Sequence, residues 1–289
     1  VLLEIETDKA VMDVEAIAPG DAILYAAPMS HGAGVYNFQN VRAGARHVVP
    51  ASGGFDAVEV LDLAQTLRNV SLFAAPTMVR RLADAAKARG MDGDGIKSVI
   101  YGGGPMYLAD IEKAIAVMGQ RFIQIYAQAE SPMTITALSR RWHESREHLS
   151  SVGLAESAVE LRITGEGGQA LEVGEVGEIE VKGPAVMLGY WNDPEATAEA
   201  LRDGWLRTGD VGVLDEDGYV NIVDRRKDMI VTGGENVYST EVEYVLAEHP
   251  AVLESAVVGV PVDHWGEAVR AVVRLQQGRG AREAAIIAV

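Results

Sequence analysis

Cysteine is absent from the 289-residue chain, which excludes disulfide bonds, thiolate metal sites and a cysteine nucleophile. Basic residues are scarce, with 25 Lys and Arg against 42 Asp and Glu, giving a net charge of −17. Non-specific nucleic-acid binding needs a basic surface, so this balance argues against a nucleic-acid partner and against attraction to acidic membranes. No apolar run approaches the roughly 20 residues that span a bilayer, so no transmembrane segment is predicted.

What is present is an ordinary globular composition, with 48% hydrophobic and 23% charged residues. The length allows a sizeable core in one or two domains, and it leaves the oligomeric state open. The first residue is Val1 rather than Met, and no charged-then-apolar signal pattern follows it. These features predict a cytoplasmic protein and a chain that is part of a longer one.

Residues 21–126 alternate short apolar runs with amphipathic stretches, a pattern typical of a mainly parallel sheet with crossover helices. The predicted strands are Ala22–Ala27, Ala45–Val49, Val70–Ala74, Ser98–Tyr101 and Arg121–Tyr126. The predicted helices are Phe55–Arg68, Thr77–Arg89 and Met106–Met118. The expected fold class for this part of the chain is therefore α/β.

The pattern changes after residue 158 to short strands separated by turn residues, which predicts a small antiparallel β subdomain. Its predicted strands are Val159–Thr164, Glu178–Lys182, Val211–Leu214 and Tyr219–Val223. Beyond Asp224 we expect a small α+β unit. This unit would contain a helix over Thr240–Glu248 and strands over Ala256–Val260 and Ala268–Leu275.

The first twenty residues stand apart, with two predicted strands, Val1–Glu6 and Val11–Ala16, that place Lys9 at a hairpin tip. The run Glu6–Ala10 resembles the lipoyl-attachment hairpin of the carrier domain in dehydrogenase complexes, where the turn presents an acylated lysine to solvent. A lone hairpin is marginally stable in water. A vestigial or fused fragment is therefore favoured, and a lipoyl carrier acting through Lys9 is the alternative.

Two strings follow predicted strands and suit a nucleotide. In Tyr101-Gly102-Gly103-Gly104-Pro105 the glycines would let a flat ring lie against the backbone, because no Cβ stands in the way. A tight strand-to-helix turn explains the same glycines equally well, and the dinucleotide fingerprint lacks its third glycine. In Tyr126–Ser131 the aromatic ring could stack on a purine and the Glu130 carboxylate could hold Mg²⁺, although each residue type is commonplace at a strand end.

Two further strings carry charge. In Gly204-Trp205-Leu206-Arg207-Thr208-Gly209-Asp210 a carboxylate after a glycine turn could accept hydrogen bonds from both ribose hydroxyls. In Asp224–Ile230, followed by Gly233-Gly234-Glu235-Asn236, cations could meet phosphate or ribose oxygens. An Asp in a turn and a solvated charged turn are the structural alternatives for these two strings.

In this order the four strings resemble the adenylate-forming (AMP-binding) superfamily, and within it the medium- and long-chain fatty acyl-CoA synthetases. The resemblance covers roughly residues 21–276. Further matching strings are Gly177-Glu178-Ile179, Gly183-Pro184, Gly189-Tyr190-Trp191, His249-Pro250 and Trp265-Gly266-Glu267. The resemblance implies that a small carboxylic acid attacks the α-phosphorus of ATP to give acyl-AMP and pyrophosphate, after which the thiol of coenzyme A displaces AMP. ATP, Mg²⁺ and coenzyme A are the implied cofactors.

The resemblance also implies a role for each matching residue. Gly103, Gly104 and Pro105 would form the adenine wall, Tyr126 would stack on the purine, and Glu130 would hold Mg²⁺. Asp210 would grip the ribose hydroxyls and Arg225 would assist at ribose and phosphate. Gly233, Gly234, Glu235 and Trp265 would line the pantetheine tunnel, while His31 and Ala127 would border the acyl pocket. Lys227 would lie at the hinge between a large-domain portion, residues 21–224, and a truncated C-terminal domain, residues 225–289.

Three departures from the family pattern predict impaired turnover. The hairpin of residues 1–20 occupies the place of the lysine-bearing phosphate loop, and the chain ends at Val289 before the C-terminal lysine. Ala127 and Ala129 stand where the motif Tyr-Gly-x-Thr-Glu has glycine and threonine. The expectation is weak nucleotide binding and poor or absent adenylation, with exposed or frayed backbone edges near Ala22 and at the last residues. An enzyme, a non-catalytic nucleotide-binding remnant or chimera, and a lipoyl carrier remain the three competing hypotheses.

Overall fold

The computed structural model describes residues 17–262, 264–280 and 286. The hairpin predicted for the start of the chain, with Lys9 at its tip, lies outside these residues. The strands are β1 (Ala22–Leu24), β2 (Arg46–Val48), β3 (Val70–Ala74), β4 (Ile96–Tyr101), β5 (Phe122–Gln128), β6 (Ser131–Leu138), β7 (Leu154–Ala155), β8 (Glu160–Thr164), β9 (Gly177–Lys182), β10 (Leu201–Arg202), β11 (Trp205–Leu214), β12 (Val220–Arg225), β13 (Ile230–Thr232), β14 (Glu235–Val237), β15 (Val252–Val262) and β16 (Gly266–Leu275). The helices are α1 (Gly32–Val35), α2 (Asn37–Ala43), α3 (Ala57–Leu67), α4 (Pro76–Ala88), α5 (Leu108–Met118), α6 (Pro194–Ala200) and α7 (Ser239–Glu248), with 3-10 turns at Arg140–Glu144 and Arg146–His148.

The largest sheet has seven strands in the order β2-β1-β3-β4-β5-β6-β7. Strands β1 to β5 pair in parallel. Strand β6 pairs antiparallel with β5, and β7 pairs antiparallel with β6. Helices α3, α4 and α5 connect the parallel strands, as expected for crossover connections. The α/β fold with a mainly parallel sheet is confirmed.

Both faces of this sheet are buried, because successive side chains of a strand point to opposite faces. Leu72 and Val99 belong to the larger apolar cluster, which α3, α4 and α5 cover through residues such as Leu61 and Leu82. Phe73 and Ile100, each one residue further along its strand, belong to the second cluster together with Ile23, Tyr25, Ala33, Tyr36, Ile123, Ile125 and Ala137. Near-continuous apolar runs are therefore needed in these strands.

Strand β1 differs from its prediction in both length and environment. It ends at Leu24 rather than Ala27, and it lies between β2 and β3 with Ala22 only 1% exposed. The expectation of an exposed or frayed edge near Ala22 was wrong, because β1 is hydrogen-bonded to β2 on one side and to β3 on the other.

Two antiparallel sheets follow the parallel one along the chain. The first has the order β10-β11-β9-β8, with β12 beside β11. The second has the order β14-β13-β16-β15, and α7 packs on it through a small core of Ile230, Leu246 and Val257. The antiparallel strands and the α+β arrangement predicted for this half of the chain are confirmed, although β11 and β15 are longer than predicted.

The chain forms two compact units, which are described separately below. The first unit comprises the described residues up to Leu161, together with Val181–Leu206 and Asp215–Asn221. The second comprises Arg162–Glu180, Arg207–Leu214 and the described residues from Ile222 onward. Within the described part of the chain, every helix is too short or too polar to cross a bilayer.

Candidate functional site

In the first unit, the loops that follow the parallel strands leave the sheet at its carboxyl end, and three of these loops carry predicted site residues. Because β1, β3, β4 and β5 are parallel, their carboxyl ends share that edge. His31 lies in the loop after β1, Gly102–Pro105 follow β4, and Ala127 and Glu130 lie at the end of β5. Open α/β sheets bind their ligands outside the carboxyl ends of their strands. The structure therefore brings these predicted site residues to the carboxyl end of one sheet.

The three glycines after β4 have different surroundings. A Cβ on Gly102 would overlap the carbonyl oxygen of Ile125 in the neighbouring β5, so close packing of the two strands requires glycine there. Gly103 has a φ of +82°, which disfavours other residues. A Cβ on Gly104 would meet nothing nearer than Pro76, at 3.9 Å. Strand packing and backbone conformation thus account for two of the glycines, and neither accounts for Gly104.

Tyr126 lies inside β5 rather than at its end, because the strand continues to Gln128 and turns into β6. Its side chain is buried, with 8% exposed, so a small part of it is open to a ligand. Ala127 is half-buried and packs on the apolar cluster that contains Tyr36 and Phe73. The Tyr126 and Ala127 positions therefore belong to a β-hairpin wall at the carboxyl edge of the sheet.

Glu130 lies in the turn between β5 and β6 and contacts a distant loop. Its carboxylate Oε1 accepts a hydrogen bond from the Tyr190 hydroxyl at 2.8 Å, and its backbone carbonyl accepts one from the Met187 amide at 2.8 Å. The bond to Glu130 raises the pKa of the Tyr190 hydroxyl, because it stabilises the protonated phenol. Within the described chain, no hydrogen bond engages the second carboxylate oxygen, Oε2.

This environment suits a magnesium ion that is held mainly by its substrate. No group of three or more potential metal-ligating side chains occurs among the described residues. Mg²⁺ commonly takes only one or two carboxylate ligands and completes its shell with substrate phosphates and water. An open carboxylate oxygen on Glu130 fits that mode of binding.

His31 is exposed and immediately precedes α1. A Cβ on the next residue, Gly32, would lie 3.3 Å from the ring of Phe73, so this loop runs close to β3. The Phe73 ring stacks with that of Tyr36 at 6.0 Å between centroids. The His31 loop therefore borders the aromatic part of the second apolar cluster.

In the second unit, Asp210 and Arg225 lie on the paired strands β11 and β12. Asp210 is 5% exposed, and its Oδ1 lies 3.5 Å from Nε of the exposed Arg225 side chain. The sequence predicted that Asp210 follows a glycine turn, whereas β11 runs through it from Trp205 to Leu214. Gly209, with a φ of +71°, accommodates the irregular backbone inside this strand.

Two carboxylates, to which the sequence analysis gave no role, form hydrogen bonds that fix the backbone around Arg225. Asp224 is buried and accepts hydrogen bonds from the amide of Ser239 at 2.6 Å and from its hydroxyl at 2.9 Å, at the start of α7. Glu178 accepts hydrogen bonds from Arg207 at 2.6 Å and from Arg226 at 3.1 Å. These contacts link residues far apart in sequence, so no local signal could have revealed them.

The remaining predicted residues also lie in the second unit. Lys227 is exposed in the turn after β12. Gly233 and Gly234 form the two-residue turn between β13 and β14, with φ values of +58° and +87°, and such turns favour glycine at both positions. The Gly233 amide donates to the Trp265 carbonyl at 2.9 Å, and a Cβ on Gly233 would lie 2.9 Å from the indole ring. Trp265 is 57% exposed, and Glu235 is exposed on β14.

Comparisons with known proteins agree with this arrangement of motifs. The family model described as AMP-binding enzyme matches residues 5–191, and that of the AMP-binding enzyme C-terminal domain matches residues 241–289. The medium/long-chain-fatty-acid–CoA ligase FadD8 of Mycobacterium tuberculosis is 40% identical over 91% of this chain and 46% of its own length. A feruloyl-CoA synthase of Amycolatopsis is 38% identical over 89% of this chain and 52% of its own.

Solved structures show the same relationship. The amide bond synthetase McbA of Marinactinospora thermotolerans superposes with a TM-score of 0.85 at 38% identity, over 94% of this chain and 55% of its own. The o-succinylbenzoate CoA synthetase of Bacillus subtilis, in complex with its acyl-adenylate intermediate, gives a TM-score of 0.79 at 33% identity, over 91% of this chain and 53% of its own. The chain spans about half the length of the curated relatives it matches. This chain belongs to the AMP-binding enzyme family.

Proposed function

We propose that this chain binds ATP and a carboxylic acid and takes part in making an acyl-adenylate, from which the acyl group passes to coenzyme A. The observation that carries the proposal is the arrangement at the carboxyl edge of the parallel sheet. There an unexplained glycine, Gly104, follows β4, while Tyr126 and Glu130 lie on the adjacent β5 and its turn. A relative of this family is known in complex with an acyl-adenylate.

In the first unit we assign the adenine ring to Gly103, Gly104, Pro105 and the Tyr126 side chain. Gly104 has room beside it for a flat ring, because only Pro76 approaches its missing Cβ. Glu130 would hold Mg²⁺ through its open carboxylate oxygen, and bound Mg²⁺ would supply neutralising charge to the triphosphate. The adenine and metal roles thus fall on neighbouring loops of one unit.

In the second unit we assign the ribose hydroxyls to Asp210. A buried carboxylate that forms charge-assisted hydrogen bonds suits a diol, and Arg225 alongside it would assist at ribose and phosphate. Gly233, Gly234, Glu235 and Trp265 are proposed to line the pantetheine path, and the close contact of Gly233 with the indole supports their acting together. Lys227 is proposed as the hinge that separates the domains at residues 21–224 and 225–289.

The chemistry requires one anion to attack another. The attacking carboxylate and the triphosphate repel each other, so the chain must supply orientation and positive charge at the phosphates. Arg225 is the described cation that lies next to a proposed ribose ligand. Adenylation then supplies a good leaving group, so the second step depends mainly on positioning the thiol.

For the acid we propose a fatty acyl chain that packs near His31 and Ala127. The support is apolar surroundings, since the His31 loop borders Phe73 and Ala127 packs on the same cluster. A feruloyl group is the alternative that one relative's name suggests. Competition between fatty and aromatic acids in one assay would separate these two substrate classes.

The proposal is tested by ATP–pyrophosphate exchange with the purified chain and a panel of fatty, aromatic and dicarboxylic acids. Weak exchange that depends on an added acid would support adenylate formation at the impaired rate that the departures from the family pattern predict, and robust exchange would overturn the expected impairment. Absence of both exchange and ATP binding would refute the proposal.

A second candidate function is nucleotide binding without turnover, and Ala129 favours it. The alanine side chain has no hydroxyl for a phosphate oxygen, in contrast to the threonine of the family motif. Thermal stabilisation by ATP without acid-dependent exchange would support this function over the enzymatic one. The lipoyl-carrier alternative concerns Lys9, and a mass increase after incubation with a lipoate ligase would support it.

A further inference from the structure

We propose that Tyr190 is a positioning residue for the metal site, and that its hydroxyl holds the Glu130 carboxylate in the orientation that leaves one oxygen for a divalent cation. This inference rests on the proposed function, in which Glu130 is the metal ligand. It adds a residue that carried no role in the sequence, although the string Gly189-Tyr190-Trp191 contained it.

The contact is specific to one atom of the carboxylate. The phenol donates to Oε1 at 2.8 Å, and in the described part of the chain Oε2 accepts no hydrogen bond. A phenol has a single proton to donate, so it can engage one carboxylate oxygen and cannot compete for both. The arrangement divides the carboxylate into an anchored oxygen and an open one.

The loop that carries Tyr190 is itself anchored at several points. The Tyr190 amide donates to Oγ1 of Thr197 at 2.9 Å, and the Thr197 hydroxyl donates to the Asp193 carbonyl at 2.7 Å. The Asp193 side chain caps α6 by accepting from the Ala196 amide at 2.9 Å. Helix α6 therefore fixes the backbone of Tyr190, and its ring is held where it can reach Glu130.

A second hydrogen bond joins the same loop to the same turn. The Met187 amide donates to the backbone carbonyl of Glu130 at 2.8 Å. The position of the Glu130 backbone is therefore secured without Tyr190, so loss of the phenol hydroxyl would release the carboxylate without displacing the turn. This separation lets orientation be tested apart from folding.

A metal-binding side chain whose orientation is already fixed loses less conformational freedom when the metal binds. Residues that hydrogen-bond metal ligands typically change metal affinity or activity by about 10- to 100-fold when they are mutated. Tyr190 is 40% exposed, so removal of its hydroxyl is expected to change the stability of the unit little. If the Tyr190–Glu130 hydrogen bond served only to hold the two loops together, Tyr190→Phe would leave the metal affinity unchanged.

The test is a Mn²⁺ titration of the full chain followed by electron paramagnetic resonance, at a fixed saturating concentration of ATP. The variants are Tyr190→Phe, Glu130→Gln and, as a matched control, Leu188→Ala, which alters a fully exposed side chain of the same loop. Tyr190→Phe is expected to weaken Mn²⁺ binding by about tenfold or more. ATP binding in EDTA and the thermal midpoint should stay at the wild-type values for Tyr190→Phe, and Leu188→Ala should match wild type throughout.

The outcomes separate the two proposals. If Glu130→Gln weakens Mn²⁺ binding and Tyr190→Phe does not, the positioning role is refuted while the proposed function stands. If Glu130→Gln binds Mn²⁺ as tightly as the wild type, the metal role of Glu130 fails and the positioning role fails with it. If Tyr190→Phe loses ATP binding in EDTA as well, the effect is general to the site and the positioning role is again refuted.

Discussion

Alanine in place of Gly104 would distinguish a ligand-binding glycine from one that is needed for the turn. The added Cβ would meet nothing nearer than Pro76, at 3.9 Å, which is ordinary van der Waals contact. Gly104 is also absent from the glycines with positive φ, so its backbone suits an alanine. The structure therefore has room for the substitution.

Gly104→Ala is expected to stabilise the fold and to weaken ATP binding. Alanine at a compatible position stabilises a protein by about 0.4–1 kcal/mol, because it restricts the unfolded chain. Stacking of a base on an aromatic side chain contributes about 1–3 kcal/mol, and a methyl group at position 104 that shifts the adenine away from Tyr126 would forfeit much of it. The dissociation constant for ATP should therefore rise by about 10- to 100-fold while the free energy of unfolding stays equal or increases.

The assay is isothermal titration with ATP beside urea denaturation, with Gly102→Ala as the matched comparison. A Cβ at position 102 would overlap the carbonyl oxygen of Ile125, so Gly102→Ala should lose about 1–3 kcal/mol of stability, the usual cost of overpacking. If Gly104→Ala binds ATP as tightly as the wild type, the adenine wall does not lie at this glycine and that part of the reasoning is wrong.

Two further predictions concern the polar groups that hold each unit together. Asp224→Ala should lower the free energy of unfolding of the second unit by about 3 kcal/mol, because it leaves the Ser239 amide and hydroxyl without their buried acceptor. Asp224→Asn should lower this free energy by less. Hydrogen exchange across α7 measures both effects, and unchanged protection of α7 would contradict the prediction. Burial lowers the pKa of His143 to about 4, so between pH 6.5 and 4 the unfolded chain binds the extra proton and stability falls as the pH falls, by about 3 kcal/mol over that window. Urea denaturation at pH 7 and pH 4.5 should show a smaller loss for His143→Gln than for wild type, and equal losses would rule out His143 as the cause.

Much of the fold follows from apolar periodicity. The strand Val70–Ala74 was predicted with its observed bounds, and the helix predicted over Phe55–Arg68 is observed as Ala57–Leu67. The Asp56 side chain explains the later start, since it caps the helix by accepting hydrogen bonds from two backbone amides. Local sequence determines such elements, so sequence reasoning finds them.

Elements that depend on distant partners were missed. Strand β6, Ser131–Leu138, mixes apolar and polar residues and exists because it pairs with β5. The short strands β13 and β14 are held by their glycine turn and by the contact of β13 with β16. In each case the stabilising partner, rather than local propensity, decides the structure.

The candidate site divides in the same way. The strings after β4 and β5 could be predicted to share one edge, because neighbouring parallel strands end on the same side. The Tyr190–Glu130 and Ser239–Asp224 hydrogen bonds could not, since they join residues 60 and 15 positions apart through tertiary packing. The sequence string identified Asp210 as a candidate ribose ligand. Its position inside β11 was not predicted, because the strand continues through the irregular backbone at Gly209.

The most direct test of ATP binding by this chain is the dissociation constant of ATP for wild type and for Asp210→Ala, measured by isothermal titration. Loss of charge-assisted hydrogen bonds to the ribose, about 1.5–3 kcal/mol, predicts roughly 10- to 150-fold weaker binding by the variant. Asp210→Asn, which keeps one acceptor oxygen, should fall between the two. Equal affinity in all three proteins would contradict the assignment of the nucleotide to these residues.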